Sequence, residues 1–105
     1  MTNIKIYRGD IEKLNFVFTK DNAPIDITGY TVTLTIKKEK GGQLVLQKQQ
    51  TTHTDPTNGK TEIVLDSTDT DLEEGFYVYD ILLEKGTEFK KTILVDRIEI
   101  LKTAR

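Results

Sequence analysis

Apolar residues recur at every second position along most of this chain, and that period selects strands over helices. Val32, Leu34 and Ile36 alternate with Thr31, Thr33 and Thr35. Leu14, Phe16 and Phe18 alternate with Asn15, Val17 and Thr19, and Thr61, Ile63 and Leu65 repeat the pattern. Each run fits a pleated strand with one face in a core, and threonine suits the other face. No segment keeps a 3.6-residue period long enough to make a packing helix.

Turn signals separate the runs. They are Arg8-Gly9-Asp10, the segment from Lys20 to Pro24, Gly29, Glu39-Lys40-Gly41-Gly42, Asn58-Gly59 and Lys85-Gly86-Thr87. Asn58-Gly59 reads as a two-residue hairpin turn, because both residue types accept positive φ. The acidic stretch from Asp66 to Glu74 has room for one helical turn, stopped by Gly75. In the final run, Ile93 and Val95 share one face while Ile98 and Ile100 fall on the other. A bulge or a strand switch near Asp96-Arg97 is expected to repair the phase. The reading is an all-β fold: a single domain over residues 1–105, an immunoglobulin-like antiparallel β-sandwich of about seven to eight strands.

The stretch Leu72-Glu73-Glu74-Gly75-Phe76-Tyr77-Val78-Tyr79 sharpens that expectation. It has the form of a tyrosine corner, in which a hydroxyl bonds back to the loop that enters the strand. Tyr77 is the expected corner residue. Tyr79 then takes the place of an inter-sheet cysteine, with Phe16 packed against it. The expected core is Leu14, Phe16, Val32, Leu34, Ile63, Tyr77, Tyr79 and Ile81.

Composition narrows the function classes. Fifteen basic residues face 17 acidic ones, for a net charge of −2. Nucleic-acid binding calls for clustered positive charge, so it is not expected. There is no cysteine and one histidine, which removes thiol chemistry and a multi-histidine metal site within one chain. No apolar stretch approaches a membrane span, and the segment Met1-Thr2-Asn3-Ile4-Lys5 lacks the apolar run of a signal peptide. Synthesis in the cytoplasm is expected.

The chemistry-bearing residues do not assemble a site. Arg8-Gly9-Asp10 lies between two strand-like runs and is read as a bend rather than a displayed adhesion tripeptide. Asp66, Asp69, Asp71, Glu73 and Glu74 lack the ligand order of a calcium loop and are read as a solvated, capping loop. His53 stands near Asp55, but the lone Ser67 has no nucleophile motif around it. His53 is read as a surface loop histidine. No catalytic residue, metal ligand, cofactor site or small-molecule substrate is expected.

An apolar set remains. Tyr77, Tyr79, Ile81 and Leu83 take one face of their strand, whereas Phe76, Val78 and Leu82 take the other, interrupted by Asp80. One sandwich cannot place both rows in the same core. Phe76, Val78 and Leu82 are therefore either covered by another segment or form an interface.

In order along the chain come Tyr7-Arg8-Gly9-Asp10, the stretch Pro24-Ile25-Asp26-Ile27-Thr28-Gly29-Tyr30-Thr31-Val32, Asn58-Gly59-Lys60, the run from Leu72 to Ile81, and Arg97-Ile98-Glu99-Ile100. This assembly resembles the immunoglobulin-like domains of tailed bacteriophages and prophages, in particular the N-terminal domain of the baseplate upper protein family. In that family a long extension follows this domain, so the chain is read as a short stand-alone member or as one domain of a longer protein. The resemblance implies a non-enzymatic structural or assembly component of a virion, made in the bacterial cytoplasm. Its partners would be other virion or tail proteins or a second copy of itself. The competing class is a carbohydrate or cell-surface binding sandwich, which usually presents exposed aromatic rings.

Overall fold

The computed structural model describes residues 4–104. Nine strands follow one another: β1 (Ile4–Tyr7), β2 (Glu12–Val17), β3 (Thr19–Lys20), β4 (Ala23–Pro24), β5 (Thr31–Lys38), β6 (Leu44–Gln50), β7 (Lys60–Leu65), β8 (Gly75–Lys85) and β9 (Phe89–Leu101). Five of them form one sheet in the order β1-β9-β8-β5-β6. β2 and β7 form a second, two-stranded layer, and β3 and β4 a minimal hairpin. The fold is an all-β sandwich with unequal layers. The large sheet has β8 between β9 and β5.

One strand pair departs from the antiparallel expectation. β1 runs parallel to β9, with Ile4 opposite Ile98 and Ile6 opposite Ile100. Parallel neighbours need a long crossover, and here the rest of the domain supplies it.

Alternation dictates what the core receives. Val32, Leu34 and Ile36 of β5 and Tyr77, Tyr79, Ile81 and Leu83 of β8 point to the same side and are buried. Leu14, Ile63 and Leu65 from the second layer join them in one cluster with Ile6, Ile98 and Ile100. Phe16 is a correction. It packs against the cluster but is only half-buried, and Phe18 is the buried phenylalanine. β2 has β7 as its single strand neighbour, and Phe16 lies at the margin of the cluster rather than within it. The expected Phe16–Tyr79 pair is not formed among the described residues. The aromatic pair is Tyr30–Phe89, edge to face, with centroids 5.5 Å apart.

The phase break in β9 also lies elsewhere than expected. Ile81 pairs with Leu94 and Leu82 with Thr92, so Ile93 is the extra residue of a bulge. No irregularity falls at Asp96-Arg97. From Leu94 to Ile100 the phase is continuous, with Asp96 on the core side opposite Tyr79 and Val95 truly outward.

The turns follow their residue types, with one exception. Asp21 and Asn22 have φ of 54° and 66° and join β3 to β4 tightly, as a two-residue turn of twisted strands requires. The exception is Asn58-Gly59. Pro56–Asn58 form a 3-10 turn and Gly59 is its left-handed cap at φ 71°. Proline at the start of that turn favours helical φ, which turns the expected hairpin into a wider loop.

The tyrosine corner is present. The Tyr77 hydroxyl donates to the Glu73 carbonyl at 2.8 Å, tying the entry of β8 to the loop before it.

Candidate protein-docking face

The second layer packs on one side of the large sheet, so the opposite side is left without a covering strand among the described residues. β8 places Phe76, Val78, Asp80 and Leu82 there by alternation. Registry supplies their neighbours. Val78 lies between Arg97 of β9 and Lys37 of β5, and Leu82 lies between Thr92 and Thr33. Phe76 is 45% exposed, whereas Val78 and Leu82 are half-buried by adjacent side chains.

The face is wider than the three residues read from the sequence. Leu44 stands opposite Lys37 and Val95 opposite Asp80, and both are more than half exposed. Tyr7 shows the same side of β1 as Lys5 and is also exposed. Leu44 and Leu82 line a shallow depression of about 500 Å³ with Thr35, Asp80 and Thr92. Val95 was legible as an outward residue once its phase was kept. Leu44 was not, because the shift between Ile36 and Lys37 decides which way β6 begins.

Polar groups organise this surface. The Arg97 guanidinium lies 4.6 Å from the centre of the Phe76 ring. Glu39 holds it there, accepting at 2.8 Å from Nε and 2.9 Å from Nη2. A forked contact of this kind fixes the plane of the guanidinium. Phe76 is thus roofed on one face by a cation. Thr33, at the centre, is 3% exposed and its hydroxyl finds no hydrogen-bond partner among the described residues.

The other residues singled out in the sequence are drawn into the scaffold. Arg8 Nε donates to Asp71 at 2.9 Å and Nη1 to Glu74 at 3.3 Å. The Thr70 hydroxyl donates to the Asp10 carbonyl at 2.6 Å, and the Gly9 amide to the Thr70 carbonyl. The tripeptide is clamped to the acidic loop. Within that loop the Asp66 and Asp69 carboxylates each accept the other's backbone N–H. Among the described residues, no three His, Asp or Glu side chains gather as a metal site.

His53 is a correction. It is half-buried, with Nε2 donating to the Tyr30 carbonyl at 2.7 Å and Nδ1 2.9 Å from the buried Thr61 hydroxyl. The polar sequence around it gave no sign of either partner, which come from distant segments.

The family model of the BppU N-terminal domain, the N-terminal domain of the baseplate upper protein, matches residues 1–78. The chain belongs to that family. No curated protein and no solved structure matches it. The matched span of this BppU N-terminal domain ends inside β8, at Val78. The outer face therefore combines matched residues, Phe76 and Val78 among them, with Leu82 and Val95 beyond the match. The family is one of phage baseplate-associated structural components.

Proposed function

We propose that this domain is a non-enzymatic structural part of a tailed-phage or prophage baseplate. It docks through the outer face of its large sheet onto a neighbouring virion protein. The observation that carries the reading is the apolar row Phe76, Val78 and Leu82, flanked by exposed Leu44 and Val95, on a sheet face that no other described strand covers. Exposed apolar side chains interspersed with Lys37, Asp80 and Thr92 on an uncovered face fit a mixed protein contact. The Arg97–Glu39 pair adds a charged, oriented rim, as interfaces commonly have around an apolar centre. Two observations favour protein contact over sugar binding and catalysis. Arg97 covers one face of Phe76, where a sugar ring would stack, and His53 is engaged with Tyr30 and Thr61 rather than poised beside Asp55.

The test replaces Val78 and Leu82 with Lys. Both side chains point away from the core, so circular dichroism should show an unchanged fold. Sedimentation with the neighbouring baseplate proteins should show loss of the complex, which needs about 1,000 Å² or more of buried surface to be specific. A complex that persists in the double variant overturns the outer face as the docking surface.

A further inference from the structure

We infer that the open edge of β9 between Phe89 and Val95 is a second docking site, built to receive an acidic, extended segment of another protein as an added strand. β1 pairs with Ile98 to Leu101, and no described strand pairs with Phe89 to Arg97 on that side. The Arg97 amide donates to the Asp96 carboxylate at 2.8 Å, which leaves the backbone from Phe89 to Val95 as the open edge, and an incoming strand satisfies such groups directly.

Lysines and a bulge on an exposed edge ordinarily discourage indiscriminate pairing. Lys90, Lys91 and the Ile93 bulge fit that role. They do not account for what lies beside the edge. Between β9 and the β3–β4 hairpin is a cavity of about 350 Å³ whose walls include Ile25, Tyr30, Phe89 and Ile93. The edge-to-face contact of Tyr30 and Phe89 fixes its aromatic wall. Such a cavity is large enough for one apolar side chain projecting from a strand laid on the edge. The bulge sets Ile93 at its rim, 38% exposed, with Val95 exposed further along.

Charge selects the occupant. Lys20 and Lys91 line the cavity and no carboxylate does. Lys85 stands nearby, its Nζ 5.4 Å from the centre of the Tyr30 ring, but the Asp26 carboxylate already faces it, so Lys20 and Lys91 are the cations open to a ligand. A domain of net charge −2 thus shows a local cationic, apolar pocket at one unpaired edge. A second copy is a poor occupant, because two-fold pairing of this edge brings the Lys90-Lys91 pairs of the two chains close together. An acidic strand with an apolar anchor satisfies the backbone, the cavity and the lysines together. This site extends the proposed docking role; it shares Thr92 and Val95 with the outer face but not Phe76, Val78 or Leu82.

The probe is a capped synthetic peptide, Glu-Val-Asp-Phe-Glu-Val-Asp, beside a counterpart with Lys at every acidic position. Amide NMR titration of the whole domain should show shifts confined to the β3–β4 hairpin, Tyr30 and residues 89–95 with the acidic peptide, weakening as salt rises. The Lys peptide should produce none. Lys20→Glu with Lys91→Glu, two surface changes, should weaken binding at least about tenfold, whereas the Val78→Lys, Leu82→Lys variant should bind as well as wild type. Equal response to both peptides, shifts elsewhere, or no shifts overturn the proposal. So do edge shifts that appear on concentrating the protein alone, which would assign the edge to a second copy.

Discussion

At Gly59 the backbone turns with φ 71° while two other segments close in. A Cβ there would lie 2.5 Å from the Phe18 carbonyl oxygen and 2.7 Å from that of Ile25. The Gly59 carbonyl also accepts the Phe18 amide at 2.8 Å, so the approach is itself a bond that positions Phe18. Both left-handed φ and backbone clash oppose any side chain. Gly59→Ala is expected to cost about 2 kcal/mol or more, the upper part of the range for strained backbone. For a domain this size that lowers the thermal midpoint by roughly 8–16 °C, which a melt by circular dichroism reads directly. His53 is the other residue whose role is set by distant partners, since it joins the start of β5 to β7 through Tyr30 and Thr61.

At the scale of elements, β6 and β7 show how the two layers are fastened. Lys48 Nζ donates to the Val64 carbonyl at 3.3 Å, and Gln50 Nε2 donates to the Glu62 carbonyl at 3.1 Å. Side chains of one sheet thus satisfy edge carbonyls of the other. Lys48 also pairs with Asp69, whose side chain is 13% exposed. Burial pushes the Asp69 carboxyl up, but the Lys48 bond and charge and the Asp66 amide outweigh it and hold it below its usual value. A lowered carboxylate stabilises the fold above its unfolded pKa of about 3.9, and this contribution is lost as pH falls through the folded value. Burial, first of all, raises the hydroxyls of Tyr77 and Tyr79. Their contribution is complete below pH about 10 and is lost as pH rises through the folded values. Urea midpoints should therefore be flat near neutrality and fall at both extremes. Lys48→Met should destabilise at pH 7 by about 1 kcal/mol, the net worth of a hydrogen bond, because Asp69 keeps the Asp66 amide as a partner. The gap from wild type should narrow as pH falls below the unfolded carboxyl value of about 3.9 and through the lower folded one.

For the whole molecule, the inequality of the layers matters most. Five strands face two; Ile6 on the β1 edge is still buried, whereas Val45 and Leu46 on the β6 edge are only partly buried. Phe18 lies inside at 3% exposure, while Phe16 is half-buried at the margin of the cluster. Phe18→Ala is expected to cost about 3–5 kcal/mol, a large share of the roughly 5–15 kcal/mol that holds such a domain together. Phe16→Ala should cost clearly less. Urea unfolding of the two variants checks the ranking, and equal losses would show that Phe16 is as well packed as Phe18. The same inequality leaves the outer face and the β9 edge open, which is why both proposed contacts lie there.

Period-2 alternation by itself determined the strands of β2, β5, β7 and β8, most of the core and the outward placement of Phe76, Val78 and Leu82. Side-chain direction in a strand is fixed by parity, which is local. The corner at Tyr77 was legible for the same reason, because its hydroxyl reaches back only four residues. Tertiary structure decided whatever depends on a distant partner. It set the bulge at Ile93 rather than at Asp96, since registry with β8 fixes where an extra residue is absorbed. It made β1 parallel to β9, placed Leu44 and Val95 beside the apolar row, and drew His53 inward to Tyr30 and Thr61. Open edges and cavities exist only after strands have chosen neighbours, so neither docking surface could be completed from parity alone.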